Sequence, residues 1–211
     1  MSSRRSRPNA GPPRPPAPDP QRVIADEDWY GREVTGRTYT RYSFVDTDWT
    51  EIRTENAVFD ACVFSGVRFN ASRHTGTAFT NCTFQRCTLF DTAFTDCKLV
   101  GSHFQRCEFT LLAVRGGDWS FTALPGAKLN RAGFDRVRMR EADLTGADLT
   151  GAEVTGCDLS GSALRGCVLN GADLRGSDLS ALDPRTADLA GARIDLGQAA
   201  VIAAALGCRV E

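Results

Sequence analysis

The chain has 211 residues, 42% of them hydrophobic, and a formal net charge of −1. That is long and apolar enough for one domain with its own core. No apolar run approaches the roughly 18 residues that a membrane span needs. Taken in chain order, the sequence divides into three.

Residues 1–22 hold seven of the nine prolines and five arginines. Such a composition buries little and predicts a disordered, partly polyproline-II tail. Arg4, Arg5 and Arg7 imitate the basic start of a secretion signal, but prolines stand where its apolar stretch should follow. A cytoplasmic protein is expected.

The second segment, 23–195, is periodic. Every fifth residue from Trp29 to Ile194 gives 34 positions, and 31 are apolar or aromatic; the exceptions are Thr54, His74 and Pro184. Neither a helix, with 3.6 residues per turn, nor a strand, with two, explains a period of five. The position two residues earlier, from Ala57 to Ala192, is filled by Ala, Cys, Ser, Thr, Val or Gly at 26 of 28 places; only Leu112 and Leu182 are larger. Positions two apart share one side of an extended segment. Each unit therefore points one large and one small residue inward, and the array must stack on itself to make a core. Gly recurs two places after the large residue from Gly146 to Gly176, where a turn needs positive φ or close approach. Residues 110–126 keep phase but include Leu112, Gly116, Gly117 and Pro125. A local bulge or kink is expected there.

The same register accounts for residues that otherwise suggest chemistry. Cys62, Cys82, Cys87, Cys97, Cys107, Cys157 and Cys167 all occupy the small inward position, and there is no C-x-x-C. Buried, reduced thiols fit this better than zinc ligands or disulfides. His74 takes a large inward position, where a hydrogen-bonded core histidine is expected. His103 should face solvent. No nucleophile, base and orienting group share a motif, and no glycine-rich phosphate loop precedes a helix. A non-enzyme without cofactor or metal is expected.

Charge is unevenly spread. Residues 141–196 carry four basic and ten acidic residues, a net of −6. Eight of the acids, Asp143, Asp148, Glu153, Asp158, Asp173, Asp178, Asp183 and Asp188, stand just before a large inward residue. Residues 196–211 differ again. Asp195 and Gln198 form a capping-box signature, the run AAVIAAAL follows, and Gly207 stops it. A helix apolar nearly all round is buried on more than one side. It is expected to cap the solenoid and to leave apolar surface for a second copy about a two-fold axis, through Leu196, Ala199, Val201, Ile202, Ala205 and Leu206; the alternative is an intramolecular cap only.

Ala142-Asp143-Leu144-Thr145-Gly146 and Ala172-Asp173-Leu174-Arg175-Gly176 resemble the A-(D/N)-L-x-x signature of the pentapeptide repeat family. That resemblance implies an all-β solenoid, a right-handed quadrilateral β-helix with four pentapeptides per coil, here followed by a short C-terminal α-helix. Side chains at the same corner of successive coils then stack. The stretch Ser72–Phe79 and the ending Ile194–Ala199 look similar to the MfpA/Qnr-like branch of the family, which interacts with DNA gyrase and confers fluoroquinolone resistance. The proline-arginine tail departs from that pattern. The branch implies a homodimeric DNA mimic, whose acidic surface occupies a DNA-binding surface of gyrase and which itself binds no nucleic acid or membrane. With a coil rise of about 4.8 Å, residues 141–196 would present one net charge per roughly 2 Å of axis, against one per about 1.7 Å for duplex DNA. The alternative is a scaffolding rod for a partner other than a topoisomerase.

Overall fold

A computed structural model describes residues 22–211. The tail expected over 1–22 lies outside these residues except for Arg22. That residue instead opens the first strand, Arg22–Ala25, which pairs in parallel with Tyr42–Val45. The described chain forms 17 strands of three or four residues, then one helix, Leu196–Ala205.

Pairing is parallel throughout, with a constant offset in sequence, as in Phe44↔Phe64, Thr54↔His74 and Phe59↔Phe79. That offset is four pentapeptides, so four consecutive repeats close one coil, and the strands fall into four sheets. Side I carries Phe44, side II Trp49, side III Thr54 and side IV Phe59. Side III is the most regular, with seven strands running from Glu33–Thr35 to Glu153–Thr155. The fold is a right-handed quadrilateral β-helix, the hand that parallel crossovers adopt.

The core is a stack of like residues. On side I, Phe44, Phe64, Phe84 and Phe104 lie nearly parallel, with centroids 5.0, 4.9 and 4.5 Å apart. Rings on neighbouring sides meet edge-on, as Phe59 does Phe64 at 65°. Each such aromatic pair adds about 0.5–1.5 kcal/mol beyond area burial. From Leu144 to Leu179 leucine and Val154 fill the same positions, all buried.

The corners show why the period is five. The residue two places after each large one has positive φ at every corner from Asp26 to Gly176. From Gly146 to Gly176 this residue is glycine, as the sequence indicated. Before it, most corners put a residue other than glycine in the same conformation, Leu111 and Phe121 among them. Coil stacking here overrides the preference of L-residues against this region.

Two places depart from the ladder. On sides I and II, corner and strand amides bond to carbonyls of the following coil, as in Arg86 to Gln105, Gly126 to Thr145 and Leu129 to Asp148. Arg106, Phe109 and Leu111 make no such bond to Pro125, Lys128 and Asn130. This open seam adjoins the stretch where a bulge was expected, and Leu112 fills a position otherwise reserved for small residues. The register does not slip, since Ala113↔Gly133 and Asp118↔Arg138 hold. At Pro184 the Gly166 amide reaches Thr186 instead of Arg185, and neither Ala181 nor Thr186 takes positive φ.

The helix closes the C-terminal end. The Asp195 carboxylate accepts the Gln198 amide at 2.9 Å, and Gln198 Oε1 accepts the Asp195 amide at 2.9 Å. Gln198 Nε2 also donates to the carbonyls of Leu174 and Ser177, at 2.6 and 2.7 Å. The one buried residue of this helix is thus polar; it bonds to the Ser177 carbonyl, which no backbone amide among the described residues reaches, and to the Leu174 carbonyl, which also accepts the Ser177 amide.

Candidate functional site: an acidic girdle

The eight acids are placed first by local backbone chemistry. The carboxylates of Asp143, Asp148 and Asp183 each accept the amide two residues on at 3.0 Å. Asp158, Asp173, Asp178 and Asp188 do the same at 2.8–3.3 Å. These are Asx turns, which bend the chain toward the next corner. Glu153 has a longer side chain, lacks this bond and sits in a strand, Glu153–Thr155. The turn-forming role was missed in the sequence, although aspartate fixed just before the large residue is its signal.

The four-sided coil then distributes the acids. Asp143 and Asp183 fall on side I, Asp148 and Asp188 on side II, Glu153 and Asp173 on side III, Asp158 and Asp178 on side IV. Glu153↔Asp173 and Asp158↔Asp178 are direct neighbours on successive coils. The other two pairs are separated by Ala163 and Val168. Carboxylates therefore encircle the rod and do not line one side.

Cations balance part of the ring. Asp173 pairs with Arg175 at 2.7 Å and Arg193 at 3.4 Å. The Arg175 hydrogen bond, opposed in part by burial, holds the Asp173 carboxyl down at about 2. Asp158 pairs with Arg140, and Asp183 with Arg185 at 3.2 Å. Asp143, Asp148, Glu153, Asp178 and Asp188 have no ion-pair partner among the described residues. Hydrogen bonds from Thr150 lower the Asp148 carboxyl below its ordinary value. Just before the girdle, residues 128–140 carry Lys128, Arg131, Arg136, Arg138 and Arg140 against Asp135.

At the adjoining end, Leu196, Ala199, Val201 and Leu206 are exposed, Leu196 to 91%. Ile202 packs partly against its own core, and Ala205 is half-buried, its carbonyl accepting from Arg185 at 2.8 Å. Among the described residues no group of three His, Cys, Asp or Glu is arranged to hold a metal, and no helix is long and apolar enough to cross a membrane.

Residues 120–156 and 142–180 match the family model described as pentapeptide repeats. Residues 33–109 match a second model, the SV2A/B/C luminal domain. Over 103 residues the chain is 40% identical to pentapeptide repeat protein MfpA of Mycobacterium tuberculosis (strain ATCC 25618 / H37Rv), covering 49% of this chain and 54% of that one. Over 57 residues it is 44% identical to MfpA of Mycolicibacterium smegmatis (strain ATCC 700084 / mc(2)155), covering 27% of this chain and 25% of that one. The matches thus span about half and a quarter of these relatives. A trypsin-treated form of QnrB1, a plasmid-mediated fluoroquinolone resistance protein, superposes with TM-score 0.60 at 20% identity, over 90% of this chain and 99% of that one; this likeness speaks to the fold. A coil of four pentapeptides, the A-D-L-x-G repeats at 142–146, 147–151, 172–176 and 187–191 and the match to the family model place the chain in the pentapeptide-repeat family, with similarity to its MfpA/Qnr-like branch.

Proposed function

We propose that this protein is a non-catalytic DNA mimic that binds DNA gyrase through the acidic girdle, inhibiting the enzyme or relieving its capture by quinolones. The observation that carries this reading is the girdle itself. A net charge of −6 lies over residues 141–196, on a rod of stacked coils, at nearly the linear density of duplex DNA. The similarity to MfpA and the fluoroquinolone-resistance description of QnrB1 support the choice of target. Two copies joined through Leu196, Ala199, Val201 and Leu206 would set two girdles end to end, doubling the length of the acidic segment. A basic groove built for DNA would then meet carboxylates on whichever side it approached.

The test must spare the turns. Asparagine keeps the side-chain oxygen of an Asx turn and removes its charge, so Asp143→Asn, Asp148→Asn, Asp178→Asn and Asp188→Asn are combined. Supercoiling and quinolone-cleavage assays with purified gyrase are expected to show inhibition by the wild type that weakens as salt rises. The quadruple variant should lose most of that inhibition while keeping its circular dichroism. Full inhibition by the variant would remove the girdle from the mechanism. A wild type without effect on gyrase would instead favour the scaffolding rod.

A further inference from the structure

Seven cysteines lie inside the solenoid, and each donates its thiol to a carbonyl of the preceding coil. Two pairs stand on successive coils, Cys62 with Cys82 and Cys87 with Cys107. In both pairs each thiol shifts the other's acidity. The neighbouring Cys82 thiol lowers Cys62, and Cys87 lowers Cys107. Burial, then the neighbouring thiol, raises Cys82 and Cys87. The pairs are chemically alike but differ in their surroundings.

Cys62 and Cys82 are wholly buried, and their coils are tied on both sides. Cys107 is the only solenoid cysteine that is not fully buried. Its thiol bonds are also the longest of the set, 3.5 Å to Phe84 and 3.7 Å to Gln105. It lies in the seam, between Arg106 and Phe109, whose amides find no carbonyl on the following coil. A disulfide requires Cβ atoms about 3.5–4.5 Å apart, while stacked coils sit about 4.8 Å apart. Within a fully bonded ladder that difference must be taken up against two neighbouring coils. At the seam the Cys107 segment is held on one side only, so it can close on Cys87.

We propose that Cys107 and Cys87 are a hydroperoxide-sensitive pair that closes to a disulfide bridging the two coils on the N-terminal side of the seam. In the first step the Cys107 thiolate attacks a peroxide oxygen. The O–O bond breaks, Cys107 becomes a sulfenic acid, and the second oxygen leaves as hydroxide, which takes up the proton the Cys107 thiol released and becomes water. In the second step the Cys87 sulfur attacks Cys107. The S–O bond breaks, the S–S bond forms, and a second water leaves. One peroxide is reduced, and two thiols are oxidised.

The test treats native full-length protein carrying Cys208→Ser, which removes the exposed thiol, with hydrogen peroxide. Remaining thiols are then alkylated after unfolding, and peptides are mapped without reduction. The expected product is a Cys87–Cys107 cross-linked peptide, with Cys62 and Cys82 recovered as alkylated thiols. In a Cys87→Ser background Cys107 should stop at the sulfenic acid and be captured by dimedone. Equal oxidation of Cys62 and Cys107 would overturn the proposal. So would conversion of Cys107 to sulfinic acid while Cys87 remains a thiol. Because the readout is covalent and uses no gyrase, it stands or falls apart from the DNA-mimic reading.

Discussion

Thr54 and His74 interrupt the apolar register at two places in the sequence, and in the fold they are partners. Thr54 Oγ1 lies 2.8 Å from His74 Nδ1 and 2.8 Å from Thr77 Oγ1, while His74 Nε2 lies 3.0 Å from Ser72 Oγ. The ring stacks on Phe94 at 4.8 Å. Burial, helped by Arg73, pushes the imidazole down to about 3, so it is neutral in the native state. An unfolded histidine titrates near 6.5. Below that pH the unfolded chain takes up a proton that the native state does not, so stability is lost as pH falls from about 6.5 toward 3. Urea unfolding should give a loss of about 2 kcal/mol between pH 7 and pH 5, above the range where most carboxylates titrate. His74→Phe should abolish that loss, and an unchanged slope in the variant would remove His74 as its source. An inward histidine was legible from its place in the register. Periodicity alone does not give its partners; the coil length implied by the family resemblance stacks it on Thr54, while the bond from Thr54 to Thr77 appears only in the structure.

The corner is the element that makes the solenoid, and it was half legible. Glycine marks it from Gly146 to Gly176, but earlier corners carry Arg, Asp, Glu, Asn, Ala, Leu and Phe in the same left-handed conformation. No propensity argument places leucine or phenylalanine there. They adopt it because amide ladders fix the chain on both sides of the corner. Phe121 has φ 59° and its side chain is exposed, so little packing offsets the strain. Phe121→Gly is expected to raise stability by about 1 kcal/mol, the cost of left-handed backbone for an L-residue. Thermal unfolding of the two proteins checks this, and a lower melting temperature in the variant would mean that the ring packs more than its exposure suggests. The positions of the acids were also legible, and their encirclement follows from the four-sided coil that the family resemblance implied, although the period of five alone does not give it. Acids spaced five apart look like a stripe until the coil is known to have four sides. Two of the arginines that neutralise them were not legible, since Arg140 and Arg193 reach Asp158 and Asp173 from neighbouring coils.

At the scale of the molecule, charge and apolar surface gather at one end. The acidic coils and the exposed helix residues Leu196, Val201 and Leu206 adjoin, whereas Ile202 is already engaged with its own rod. The proposed dimer predicts that Val201→Glu with Leu206→Glu sediments as a monomer at micromolar concentration while the wild type sediments as a dimer. Equal sedimentation of the two would leave the helix as a cap alone. The constant offset that positions every side chain has a further consequence for how such a protein can change. Each coil bonds only to the one before and the one after, with the same spacing each time. Excising one whole coil from the regular stretch rejoins the cut ends in phase, whereas losing a single residue rotates everything downstream out of it. Length is thus open to change in steps of one coil, each about 4.8 Å, and a rod of this kind can be fitted to a longer or shorter groove without redesigning its interior.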